Sequence, residues 1–347
     1  MTSKLHAPIR AWKHRYAAAV IALAALAGAA SQPARASTCG MDEKVTIAEM
    51  TWLSAAAMAH ITDRILSNGY GCKTEIVPGD TVPTASSLLS KGEPMIVPEL
   101  WMSTLGEIWA KIQAKGIAFK AGDAFTSGGN EGWFIPDYVA KANPELKSVA
   151  DLPKFAKLFE EPASNGKGRL YACPPGWACE ITNTNLFKAA GLGDKGFELF
   201  SPGSGANLKA SIARKITRKQ PLLTYYWGPT EVIGKYNLVK LDMGPFDQKR
   251  FDCIASKDCE KPQLTDFKNS EIAVVAATGL KKKAPAVAEY LSKMQIPNDT
   301  VNSMLAWGDD ESASPGDIAT YFLKEHEDIW TKWVPADVAS KVKATLK

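Results

Sequence analysis

The sequence predicts an α/β protein of two lobes. Three observations predict it: strands and helices alternate from residue 45 onward, 347 residues exceed what one core usually fills, and a loop-rich stretch interrupts the alternation midway. The first element is Val45-Thr46-Ile47-Ala48-Glu49-Met50, rich in β-branched and apolar residues and read as a strand. An alanine-rich helix over 54–66 follows, stopped by Gly69-Tyr70-Gly71, and a second strand covers 73–77. A helix over 84–90, a strand over 94–98 and a helix over 103–115, ended by Gly116, repeat the unit. Such alternation predicts a mostly parallel sheet with helices on both faces and ligands at the carboxyl ends of the strands. Trp52 and Trp101 fall just past such ends.

Between 145 and 205 the pattern is broken by Pro153, Pro162, Pro174, Pro175 and Pro202; a helix over 208–218 and a strand over 222–226 then restore it. Residues 37–137 are therefore read as the first part of lobe 1, 138–239 as an inserted lobe 2, and 240–347 as the return to lobe 1. The return carries a strand over 271–277 and helices over 284–294 and 316–330.

The first 36 residues differ in kind. They hold Lys4, Arg10, Lys13, Arg15 and Arg35 with no acidic residue, an apolar run from Ala17 to Ala27, and the small-residue motif Ala34-Arg35-Ala36. This is the composition of a secretory signal peptide, expected to be removed after Ala36; the apolar run is shorter than the ~20 residues a membrane crossing needs. Taking those five from the 41 basic residues leaves 36 against 37 acidic ones, so the net charge of +4 belongs to the leader. A nucleic-acid partner loses its support. The expected location is outside the cytoplasm.

All six cysteines follow Ala36, and an even number in an oxidising compartment predicts disulfides. Cys173 with Cys179 and Cys253 with Cys259 each close a short loop, which leaves Cys39 with Cys72. The spacing suits no zinc site, and no metal or cofactor is expected. Only His60 and His326 lie beyond the leader, and there is no nucleophile elbow, zincin motif or phosphate loop, so catalysis has little to work with. Glu49, Glu99 and Glu131 are the carboxylates that an enzyme on this scaffold would have to use.

Tryptophan carries the functional signal. Of ten in the chain, Trp52, Trp101, Trp133, Trp177 and Trp227 stand at strand ends or beside turn formers, whereas Trp109, Trp330 and Trp333 lie on predicted helices and read as packing residues. In Cys173-Pro174-Pro175-Gly176-Trp177-Ala178-Cys179, two prolines and a bridge would fix the direction of one indole, and a bridge over so short a loop is worth roughly 2 kcal/mol. Converging indole faces attract a desolvated cation at ~0.5–2 kcal/mol each, and a quaternary ammonium suits such a box because it has no donor to satisfy.

The bridged segment from Leu170 to Glu180, the run Tyr225-Tyr226-Trp227-Gly228-Pro229 and the pair Leu100-Trp101 resemble the periplasmic glycine betaine/proline betaine-binding proteins of ABC importers, which have choline-binding relatives. The resemblance implies a two-lobed type II periplasmic solute-binding protein with a hinge between its lobes. It implies no enzymatic activity. It also implies a cage of Trp101, Trp177 and Trp227, completed by Trp52 and Trp133, with the backbone amides of Ala178 and Cys179 as donors to a ligand carboxylate. The partners so implied are a quaternary ammonium ligand, with choline or carnitine as alternatives to betaine, and an inner-membrane permease; a monomer is expected. Two positions depart from the family: Leu105 stands where betaine binders carry a histidine, and Leu53-Ser54 follow Trp52 where a choline binder carries an acid.

Overall fold

Ten strands divide between two five-stranded sheets in a computed structural model that describes residues 38–346 together with Met1. The expected signal peptide, 1–36, lies outside the described residues apart from Met1. The first sheet has the order β2-β1-β3-β10-β4, with β1 Val45–Met50, β2 Thr74–Gly79, β3 Ile96–Trp101, β4 Ala118–Asp123 and β10 Ile272–Ala277. The second has the order β7-β6-β8-β5-β9, with β5 Asn130–Pro136, β6 Gly168–Tyr171, β7 Phe197–Phe200, β8 Leu223–Gly228 and β9 Leu238–Lys240.

The expectation of mostly parallel sheets needs correcting. In each sheet two neighbouring pairs are parallel and two antiparallel. The reason is the double crossover: β5 and β10 each enter their sheet from the other lobe, so they start at the cleft and run away from it, against β8 and β3. The crossovers are pinned together where Gly129 N donates to Ser270 O at 2.8 Å and Ser270 N to Gly129 O at 2.6 Å. The second sheet thus begins at Asn130, ahead of residue 138, and the chain rejoins the first sheet only at Ile272, well after residue 240. The Gln248–Ile254 helix between them still packs on the second lobe, where Asn185 Nδ2 donates to Ile254 O at 3.0 Å.

β10 reads Ile-Ala-Val-Val-Ala-Ala and is buried at every position, as a strand covered on both faces must be. The Leu53–Arg64 helix lies close on the first sheet because its buried positions Ala55, Ala56, Ala57 and Ala59 are small. Ile47, Ile61 and Ile65 are fully excluded from solvent here, each worth roughly 1.5–3 kcal/mol of hydrophobic burial. The disulfides Cys39–Cys72, Cys173–Cys179 and Cys253–Cys259 are all formed. Among the described residues no helix is long and apolar enough to cross a membrane.

Candidate functional site

The carboxyl ends of β1, β3 and β8 and the start of the Ala178–Ala189 helix converge on one cavity. Its walls are Trp52, Trp101, Trp177, Trp227, Thr81, Thr104, Glu131, Tyr225, Ala178 and Cys179. Parallel strands deliver their last residues to the same side, which is why indoles far apart in sequence meet there. The rings stand edge to face: Trp177 lies 5.4 Å from Trp52 at 75° and 5.0 Å from Trp227 at 84°.

Each indole is held. Trp177 precedes the Ala178–Ala189 helix, and its Nε1 donates to Thr51 Oγ1 at 2.8 Å and Asp80 Oδ1 at 3.0 Å, both in the first lobe. Gly176, at φ +88°, turns the bridged loop so that its carbonyl accepts from Val82 N at 3.2 Å. Gly205 backs the ring, since a Cβ there would come within 2.8 Å of Trp177 Cη2. Trp52 Nε1 and Trp101 Nε1 donate to one atom, Glu99 Oε1, at 2.6 and 3.0 Å, and Ser54 Oγ adds a third bond at 3.1 Å. Glu99 is fully buried, its Oε2 has no partner among the described residues, and desolvation outweighs the three donors, pushing its carboxyl up to about 7.

Glu131 faces the cavity itself. Its Oε1 accepts from Tyr225 OH at 2.6 Å and its Oε2 from Ser270 Oγ at 2.9 Å; burial raises its pKa against these bonds and the Lys240 charge. The amides of Ala178 and Cys179 belong to the first helical turn, where no intrahelical acceptor exists, at the positive end of the helix. Among the described residues, no lysine, arginine or histidine lines the cavity.

Six of the expected binding residues, Trp52, Trp101, Trp177, Trp227, Ala178 and Cys179, are therefore brought together. Trp133 is not. It pairs with Tyr225 across β5 and β8, two residues further from the cleft than Glu131, and is completely buried with Nε1 on Asn183 Oδ1 at 2.6 Å. The Ala178–Ala189 helix, which carries Asn183, covers it, so Trp133 is a core residue and Glu131 takes the place at the cavity. Thr81, Thr104 and Tyr225 were not foreseen. Period-two alternation on β8, which puts Tyr225 on the face of Trp227, was the available signal for the last.

Residues 43–325 match the substrate binding domain of ABC-type glycine betaine transport systems, and the chain belongs to that family. The family consists of substrate-binding proteins rather than enzymes. The glycine betaine/proline betaine-binding periplasmic protein of Escherichia coli strain K12 is 27% identical over 62% of this chain and 67% of its own. The trimethylamine N-oxide-binding protein of Pelagibacter ubique is 23% identical over 83% and 89%. A choline-binding protein of an ABC transporter, solved with choline, superimposes with a TM-score of 0.70 at 17% identity over 89% and 99%, which establishes the shared two-lobed fold.

Proposed function

We propose that this chain is the periplasmic capture component of an ABC importer and holds a small trimethylammonium solute of the glycine betaine class between its lobes. One observation carries the reading: four indoles enclose a cavity whose lining has no basic side chain and includes a buried acid. Such a box favours a cation without donors. A primary ammonium would bring three N–H groups among indole faces, where the Glu131 carboxyl, bonded to Tyr225 and Ser270 and held toward its neutral form by burial, is a poor ion-pair partner, and it would lose its hydration without full replacement. The anionic end of a betaine would take the Ala178 and Cys179 amides in place of the absent family histidine.

Glu131 favours a second reading, trimethylamine N-oxide, the compound named for the Pelagibacter relative. Burial holds Glu131 toward its neutral form, and a neutral carboxyl can donate to a single ligand oxygen, whereas an ionised one would repel a full carboxylate.

Calorimetric titration of the chain with glycine betaine, trimethylamine N-oxide, choline, carnitine and glycine tests both. The class is supported by micromolar or tighter binding, about -8 kcal/mol, for a trimethylated compound with none for glycine. Equal affinity for glycine and glycine betaine would sink it, and the ranking of betaine against the N-oxide decides between the two readings.

A further inference from the structure

Glu99 does not line the cavity, yet it is the common anchor of the two first-lobe indoles. β3 places Glu99 and Trp101 on one face two residues apart, and the adjacent β1 ends beside them, so Trp52 and Trp101 reach the same oxygen from neighbouring strand ends. Burying a carboxylate with one oxygen unpartnered among the described residues is costly, and a polar anchor for two indole N–H groups does not require a charge: a glutamine oxygen can accept the same hydrogen bonds, though more weakly. A charge has a different effect. An indole whose N–H is bonded to an anion is polarised, with electron density pushed toward its ring face, and that face is what a cation feels.

We infer that Glu99 is a specificity-determining positioning residue: through Trp52 and Trp101 its carboxylate both aims two cage walls and makes them discriminate a trimethylammonium group from an uncharged group of the same shape. The inference rests on the trimethylammonium reading above. It assigns charge selection to a group that never touches the ligand, behind the rings, while Glu131 stands on the cavity side.

The test compares, at about pH 8.5 where Glu99 is ionised, glycine betaine with 3,3-dimethylbutanoate, its isostere with carbon in place of the cationic nitrogen, on the wild-type chain and on Glu99→Gln. Wild type should prefer betaine strongly, and Glu99→Gln should cut that preference roughly tenfold by losing betaine affinity while binding the isostere as before. A preference unchanged in Glu99→Gln, with both ligands weakened alike or neither, would overturn the inference and leave Glu99 a structural strut, with the proposed function intact. A wild type that binds both equally would overturn the trimethylammonium reading, and this inference with it. A second readout needs no variant: in wild-type protein the indole N–H proton resonances of Trp52 and Trp101 should move further downfield with betaine than with the isostere, while that of Trp133 stays put. Equal shifts with both ligands would refute the polarisation.

Discussion

Trp177 is carried by the second lobe, yet its indole nitrogen donates to Asp80 Oδ1 of the first lobe at 3.0 Å. The same ring touches Trp52 on one lobe and Trp227 on the other, so a single side chain joins the cage walls across the cleft. Trp177→Ala should therefore lower ligand affinity by about 100-fold, a hot-spot loss of ~2–3 kcal/mol, with little change in the fold of either sheet. Trp177→Phe, which keeps an aromatic face and loses the donor, should fall between. Titration calorimetry on the three proteins checks this, and an alanine variant with wild-type affinity would remove Trp177 from the cage.

The Cys173–Cys179 bridge closes a small ring whose apex is Trp177. Its contribution to stability is limited by that loop length to roughly 2 kcal/mol, whereas its contribution to binding includes the direction of the indole and of the Ala178 and Cys179 amides. Replacing both cysteines by serine should weaken binding at least tenfold while lowering Tm by only about 4 °C, because a chain of this size loses ~2 °C per kcal/mol. The reverse pattern, a large melting shift with affinity retained, would assign the bridge to stability.

The cage was legible in the sequence where a residue and its neighbours told the same story. The prolines and cysteines around Trp177 announce a rigid loop, and the strands before Trp52 and Trp101 are mostly buried, with only Thr46, Glu49 and Trp101 itself partly exposed. Trp133 misleads because Gly132 beside it resembles a turn former. In the fold Gly132 is a strand position over which the Lys240 side chain lies, so close that a Cβ would come within 2.7 Å of Lys240 Cε. Glu99 and Glu131 stand out in the sequence only as carboxylates an enzyme could use, and their roles in the cage are hidden for another reason. Glu99 matters through Trp52, 47 positions away, and Glu131 through Tyr225 and Ser270, 94 and 139 away. No local pattern encodes these long-range contacts: the pairing of β1 with β3 brings Trp52 to Glu99, the pairing of β5 with β8 brings Tyr225 to Glu131, and the crossover brings Ser270.

A cluster of charges fastens the lobes on the far side of the indoles. Asp309, on the Asn298–Asp310 helix that packs with the first lobe, lies 2.6 Å from Lys209 and 2.8 Å from Lys235 of the second, and Lys209 also meets Glu231 at 2.8 Å. Burial works against the Asp309 carboxylate, but the two lysines outweigh it and hold its pKa below the ordinary range. Asp309→Asn should raise the ligand dissociation rate roughly threefold, the modest effect of partly exposed pairs. In 1 M salt, where the screening length falls to about 3 Å, variant and wild type should converge. Stopped-flow dissociation at low and high salt measures both. A difference that survives high salt would point to packing and not charge.

Glu99 gives the chain a pH dependence of definite sign. Desolvation raises its pKa from the ordinary 4.5 to about 7 in the folded protein, against three donors that favour the anion. Below about pH 4.5 the carboxyl is protonated in folded and unfolded chains alike, and burying it costs no charge. Between about 4.5 and 7 the unfolded chain releases the proton while the folded chain keeps it, so stability falls as pH rises through this window. The loss is bounded at a few kcal/mol, the worth of such a shift. Other groups titrate too: Asp309, with its lowered pKa, loses stability as pH falls, and Glu131 adds to the trend of Glu99. The difference between wild type and Glu99→Gln cancels these. Melting temperatures measured from pH 5 to pH 8 should show wild type losing about 5 °C against Glu99→Gln as pH rises. Saturation with a trimethylammonium ligand should flatten that slope, because a cation over Trp52 and Trp101 favours the carboxylate behind them. A difference that stays constant with pH would mean that Glu99 is equally protonated in both states across the range, and a slope of opposite sign would mean that its three donors outweigh its burial.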